Sequence, residues 1–246
     1  MLDESARLMT VLRPVRAGNA FEETVERLLQ AIKLGVVPPG GKLPPERELA
    51  VRLGISRVTL REAIRALSDA GYLDVRRGRY GGAFVTYEPP APDARDLRQA
   101  VAEMGHDDLA DALTFRLAVE CGAAQVLAGA AQAGELAEEQ RALLLRRLAA
   151  LDEASLDDYR RLDTAFHLSI AELTGSGLLA TAVADARARV GDLLNAIPML
   201  QANLDHAAVQ HRAIVDAILA GDPDAARRAM TEHLEGTAAL LRAFLR

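Results

Sequence analysis

Three prolines among residues 88–92 divide this chain into two parts with different sequence patterns. Prolines at this density can continue neither a helix nor a hydrogen-bonded strand pair. Before this stretch the pattern mixes short helices with a hairpin, and after it the pattern contains only helix signals. We therefore expect an N-terminal arm at 1–18, a first domain at 19–87, a linker at 88–94 and a helical domain at 95–246.

The composition predicts a soluble, globular protein. Half of the 246 residues are apolar and Ala and Leu dominate, which favours helices around a packed core. The single cysteine, Cys121, excludes a disulfide framework and any paired-cysteine zinc or redox motif. There is no run of about 18 apolar residues that would span a membrane and no unbroken apolar stretch at the N-terminus. We expect a cytoplasmic protein.

The charge is distributed unevenly along the chain. The net charge is −6, yet residues 16–88 contain 12 basic and 9 acidic residues, a balance of +3. The remainder of the chain therefore has a balance of −9. This asymmetry favours a first region that binds a polyanion, joined to a second region with a different function. An uneven distribution of solvated surface charges would give the same two charge balances.

The first domain combines three helices with a hairpin. Ser56 is well suited to cap the N-terminus of the third helix, because its hydroxyl can accept a hydrogen bond from a backbone N–H of the first turn. A glycine-rich tip between two short extended segments predicts the hairpin. The predicted elements are helices at 21–34, 45–53 and 57–70 and strands at 72–76 and 83–87.

The helix at 57–70 presents an arginine stripe. Arg57, Arg61 and Arg65 repeat every four residues, about 110° around the helix from an apolar stripe. The planar guanidinium group can bind a phosphate or the O6/N7 edge of guanine, and a helix fits the major groove. Alternatively, the arginines form a solvated helix face that is stabilised by ion pairs with Glu62. Arg61 and Glu62, however, are adjacent in the sequence and cannot face each other on a helix.

The stretches LPPERELA at 43–50 and GISRVTLREA at 54–63 closely resemble the winged helix of GntR-family bacterial transcription regulators. The resemblance spans about 15–87, with Pro45 where many members carry a serine. It implies contacts with double-stranded DNA at Arg47, Arg57 and Arg61, with Ser56 and Thr59 near the DNA backbone, and at a wing tip formed by Arg77 and Gly78.

The helical domain has four polar side chains beside or on inward helix faces, at Asp163, His167, His211 and His233. Burying them apart would cost roughly 1–3 kcal/mol for each unpaired group. A divalent cation would satisfy all four at once, and neutral imidazole with carboxylate suits Zn²⁺, Ni²⁺, Mn²⁺ or Fe²⁺. Each histidine alone could equally be a satisfied core residue.

Residues 95–246 resemble the helical effector domain of the FadR subfamily, called the FCD domain. In its metal-containing members the ligands are an Asp-x3-His pair and two later histidines, which Asp163, His167, His211 and His233 match; Zn²⁺ is the first choice of metal. Arg116 lies in a stretch that resembles the subfamily's Arg-x3-Glu helix. It would either bind an effector carboxylate or pair with Glu120.

The predicted fold is mainly α, with an N-terminal winged helix-turn-helix and a C-terminal all-α antiparallel bundle. The resemblance implies a transcription regulator: a homodimer on a palindromic operator that represses and is released by a small carboxylate metabolite. One alternative is a metal-dependent enzyme with a basic appendage, although we see no added general base, nucleophile–histidine pair or cofactor loop. Another is a metal-free sensor, as in acyl-CoA-binding relatives.

Overall fold

The computed structural model describes residues 20–78, 81–88, 106–195 and 201–245. The predicted arm, nearly all of the predicted linker and residues 95–105 of the predicted helical domain lie outside these ranges. The chain divides into two compact units, Met1–Pro89 and Pro90–Arg246. The helices are α1 (Ala20–Lys33), α2 (Glu46–Leu53), α3 (Arg57–Asp69), α4 (His106–Gln132), α5 (Glu138–Asp152), α6 (Leu156–Leu173), α7 (Gly177–Asn195), α8 (Gln201–Leu219) and α9 (Pro223–Leu245), and the strands are β1 (Leu73–Arg76) and β2 (Gly82–Val85).

The first unit packs α1, α2 and β1 against α3. Helix α3 buries Leu60, Ala63, Ile64 and Leu67, which is the apolar stripe opposite its solvent-facing side. Strands β1 and β2 are antiparallel, with Leu73 opposite Val85. The order of these elements confirms the predicted winged helix-turn-helix: a helix, a short helix, a third helix and a hairpin.

A tight turn between α2 and α3 sets the start of α3. Gly54 ends α2 in the left-handed conformation (φ 66°), which glycine adopts without steric cost. The hydroxyl of Ser56 accepts a hydrogen bond from the backbone N–H of Thr59 at 3.0 Å, so the predicted N-cap is confirmed. Pro45 precedes α2 without a side-chain cap. The first turn of α3 is therefore fixed by local chemistry.

The second unit is a bundle of six described helices around α4, which contacts α6, α7, α8 and α9. Buried alanines such as Ala123, Ala124 and Ala128 allow neighbouring helices to approach α4 closely. The predicted all-helical bundle is confirmed, and α5 begins only at Glu138, six residues after the end of α4. Gly134 has a φ of 74°, and the Gln140 side chain accepts a hydrogen bond from the Ala137 N–H. None of the described helices has the length and apolar character needed to cross a bilayer.

Three consecutive residues form the break between α8 and α9. Gly221 has a φ of 68°, Asp222 Oδ1 accepts a hydrogen bond from the Ala225 N–H at 2.8 Å, and Pro223 opens α9. A Cβ atom at Gly221 would lie 2.8 Å from Cα of Gln132, the last residue of α4. Glycine is thus required both for the turn and for close packing against α4.

Candidate metal centre and DNA-binding face

Asp163 and His167 of α6, His211 of α8 and His233 of α9 converge inside the bundle. One potential ligand atom from each lies within 4.8 Å of the others. The three histidines are at most 5 % exposed, and the Asp163 side chain is 17 % exposed. The ring centroids of His211 and His233 are 4.4 Å apart. The four predicted side chains therefore form one cluster that could hold a metal ion.

Partners behind two of the imidazoles orient the Nε2 atoms. His233 Nδ1 lies 3.2 Å from Gln210 Oε1, and an amide oxygen only accepts, so Nδ1 carries the proton. His167 Nδ1 lies 2.5 Å from Glu120 Oε2. Asp163 Oδ1 lies 3.3 Å from His211 Nε2 and 3.7 Å from His167 Nε2. A carboxylate or amide behind a histidine is typical of metal-binding imidazoles.

A buried network of charged groups supports the cluster. Arg187 of α7 donates a hydrogen bond from Nη2 to Asp163 Oδ2 at 2.5 Å, and its Nη1 lies 3.4 Å from Glu120 Oε2. Arg116 donates from Nε to Glu120 Oε1 at 2.7 Å. Arg116, Glu120 and Arg187 are each at most 3 % exposed. The network thus connects α4, α6 and α7 beside the histidines.

Sequence reasoning missed Arg187, although a signal was present. Arg187 shares a helix face with Val183, Ala184 and Val190, all of which are buried. A charged residue on a buried face requires an opposite charge, so a partner could have been expected. Arg116 forms the ion pair with Glu120, which is one of its two predicted roles, while its Nη1 is buried without a hydrogen-bond partner among the described residues.

The environment favours the protonation states that metal ligands require. Burial lowers the pKa of His167 to about 4 despite the attraction of Glu120, and burial together with the neighbouring imidazoles lowers the pKa of His233 well below its usual value. Burial opposes ionisation of Asp163, but Arg187 holds the pKa of this carboxyl well below its ordinary range. At neutral pH His167 and His233 are therefore neutral and Asp163 is ionised, as metal binding requires.

The metal-free protein should lose stability as the pH falls from about 6.5 to 4. The pKa of the buried His167 is about 4, while that of an unfolded histidine is about 6.5, so the unfolded chain binds more protons between these values. The free energy of unfolding should decrease by about 1.4 kcal/mol per pH unit for each such proton. Denaturant titrations of chelator-treated protein across this range measure the slope. A profile that is flat here, or unchanged in His167→Gln, would contradict the prediction.

The outer face of α3 presents the predicted arginines. The side chains of Arg57 and Arg61 are each 59 % exposed. Glu46, in the first turn of α2, places Oε2 2.7 Å from Arg61 Nε and 3.9 Å from Arg57 Nη2. In the described part of the chain these arginines thus pair with Glu46 and not with the neighbouring Glu62. The pairing holds both guanidinium groups at the surface.

The other predicted DNA-contacting residues surround this helix. Arg47 is exposed at the start of α2, and Ser56 and Thr59 lie at the start of α3 with their hydroxyls 2.9 Å apart. Arg77 and Gly78 are exposed where the chain leaves β1, and Gly78 has a φ of 100°. Their positions define one candidate face on the helix-turn-helix and another on the hairpin.

The winged helix and the helical bundle define a DNA-binding regulator with a separate second domain. Residues 21–85 match the model of bacterial regulatory proteins of the gntR family, and residues 111–236 match the FCD domain. The chain therefore belongs to the GntR family and is a transcription regulator with an FCD domain.

Three similar proteins illustrate this membership. The chain is 33 % identical over 227 residues to the putative L-lactate dehydrogenase operon regulatory protein of Escherichia coli K12, covering 87 % of this chain and 83 % of the relative. It is 30 % identical over 249 residues to the transcriptional repressor NanR of Klebsiella aerogenes, covering 94 % and 88 %. The solved structure of E. coli McbR/YncC shares the fold, with a TM-score of 0.54, 19 % identity and coverage of 91 % and 97 %.

Proposed function

We propose that this regulator represses transcription as a homodimer on a palindromic operator and is released by a small carboxylate that binds at a divalent metal. The buried cluster of one carboxylate and three imidazoles carries this proposal. Two subunits would supply two α3 helices, which fit half-sites about one helical turn apart. The α3 arginines, Arg47 and the wing tip would contact the operator in the cytoplasm.

The chemistry of the cluster fits a metal ion. Nδ1 of His211 is buried without a hydrogen-bond partner among the described residues, while its Nε2 lies 3.3 Å from Asp163 Oδ1. Leaving a buried ring nitrogen unpaired costs roughly 1–3 kcal/mol, which an ion would offset. Imidazole nitrogens and a carboxylate suit Zn²⁺, Ni²⁺, Mn²⁺ or Fe²⁺, and we assign Zn²⁺ first. Asp163, His167, His211 and His233 would hold it, and it would supply a Lewis-acidic site for a carboxylate oxygen.

The charge balance favours an anionic effector. Two buried arginines and two buried or largely buried carboxylates, at positions 116, 120, 163 and 187, cancel each other, and the imidazoles of His167 and His233 are neutral. A divalent ion would add two uncompensated positive charges in a buried place, which is unfavourable. A carboxylate effector would offset part of this charge. Arg116 Nη1, buried without a hydrogen-bond partner in the described ranges, is available as a second contact.

The same site is poorly suited to catalysis. An efficient general base has a pKa near the working pH. Burial raises the carboxyl pKa of Glu120 and Asp163, but Arg116 and Arg187 hold the pKa of Glu120, and Arg187 holds that of Asp163, well below the ordinary range. These carboxylates are weak proton acceptors that serve as counter-charges. We infer that the site senses a metabolite and does not turn it over.

A DNA-binding titration tests the proposed function. The probe is a duplex enriched from a random library by the full-length protein. A panel of small carboxylates, including lactate, pyruvate and citrate, should contain one that weakens binding by metal-loaded protein 5- to 150-fold, the usual range of allosteric coupling. The matching neutral amide should have no effect. If chelated protein responds to the acid equally, the metal has no role; if no duplex is enriched, the regulator proposal fails.

A further inference from the structure

Val58 lies on the exposed side of the first turn of α3. It is 65 % exposed and lies about 160° around the helix from the buried Leu60. Arg57 and Arg61 lie on the same exposed side of α3, so the apolar side chain of Val58 has guanidinium groups as neighbours. The hydrogen bond from the Thr59 N–H to Ser56 Oγ fixes the backbone on both sides of Val58. Its position is therefore well defined.

Folding does not account for a valine at this position. Single exposed apolar residues are common, so exposure alone decides nothing. A β-branched residue, however, is a poorer helix former than alanine, and Val58 recovers little through burial. It occupies the N-terminal turn of the recognition helix, which is the part that reaches base edges in helix-turn-helix proteins. Val51 is a similarly exposed helical valine, so exposure and helix propensity do not distinguish Val58; its place beside Arg57 and Arg61 in this turn is what points to a role in binding.

We propose that Val58 is a specificity-determining residue that packs against the C5-methyl group of one thymine in each half-site. Thymine is the base that presents a methyl group in the major groove. Cytosine at the same place would present its N4 amine to a side chain that cannot accept a hydrogen bond, and this desolvation disfavours it. The inference rests on the proposed operator-binding role of α3.

Deoxyuridine substitution tests this contact because it removes the methyl group alone. The probe is the duplex enriched by the full-length wild-type protein, with each thymine replaced in turn. One position in each half-site should weaken wild-type binding about three- to fourfold, the value of one buried methyl group. The other positions should change binding less.

The variant Val58→Ala should bind the unmodified duplex more weakly and should no longer respond to deoxyuridine at that position. Because Val58 is exposed, the variant should retain the wild-type melting temperature. Val51→Ala is the matched control, since Val51 is a 77 % exposed valine on α2. It should keep the wild-type deoxyuridine pattern.

Two results would overturn the inference: no sensitive thymine in the wild-type titrations, or a sensitive thymine that Val58→Ala still recognises. If Arg57→Ala and Arg61→Ala abolish binding in the same assay, such a result rejects the Val58 contact and leaves the operator-binding role of α3 intact. If the arginine variants bind like the wild type, the proposed function itself is rejected, and this inference with it.

Discussion

Replacing Arg57 and Arg61 together by alanine should weaken binding to the enriched duplex by at least a hundredfold. Both guanidinium groups are exposed on α3, and each well-placed arginine contact with a base is worth about 1–3 kcal/mol. A homodimer loses each contact twice. Fluorescence anisotropy at one fixed salt concentration measures the change, because phosphate contacts make affinity depend steeply on salt.

Arg65→Ala is the matched control for these substitutions. Arg65 belongs to the same stripe, and its side chain is 84 % exposed, but it lies two turns beyond Arg57 and faces Asp69 at 3.9 Å. We expect a much smaller loss, because base contacts come from the N-terminal part of a recognition helix. Equal affinities for the double variant and the wild type would show that α3 does not read the operator.

Replacing His211 by alanine should abolish stoichiometric metal binding. Wild-type protein purified without chelator or affinity tag should contain about one ion per chain by elemental analysis, and the variant should contain less than a tenth of that amount. Zinc at a thousand times its dissociation constant should stabilise the wild type by about 4 kcal/mol and raise its melting temperature, whereas the variant should not respond. His211 lies at the centre of the cluster, with its ring 4.9 Å from Phe166 and 4.4 Å from His233.

His206→Ala provides the control for this experiment. His206 lies on the same helix, α8, but is exposed and outside the cluster. Its replacement should leave the metal content and the zinc-induced stabilisation unchanged. A wild-type protein without stoichiometric metal would favour the metal-free sensor over the proposed function.

Local chemistry made much of this fold predictable. The N-cap at Ser56, the left-handed Gly54 and the break at Gly221 each depend on residues next to one another in the chain. The polar cluster was predictable for a different reason. Asp163 and His167 are spaced four apart beside an apolar stripe, so that inward placement followed from helix geometry alone.

The partners of the key charges were not predictable in this way. Arg61 pairs with a residue 15 positions earlier, and Arg187 reaches residues 24 and 67 positions away. Such pairs depend on how helices pack, which spacing within one helix does not reveal. The face occupied by Arg187 indicated that a counter-charge was needed, but only the packing of α4, α6 and α7 identifies Glu120 and Asp163.

The carboxylate of Glu46 has a consequence for how this regulator searches chromosomal DNA for its operator. An acid held beside Arg61 and Arg57 reduces the attraction of α3 for every phosphate backbone, whatever its sequence. In the proposed complex a correct base edge would compensate for this loss, whereas an incorrect one would not. A genome presents on the order of a million to a billion competing non-specific sites. Short residence times at these sites would therefore shorten the search for the operator. We expect few copies per cell to be enough to keep the operator occupied.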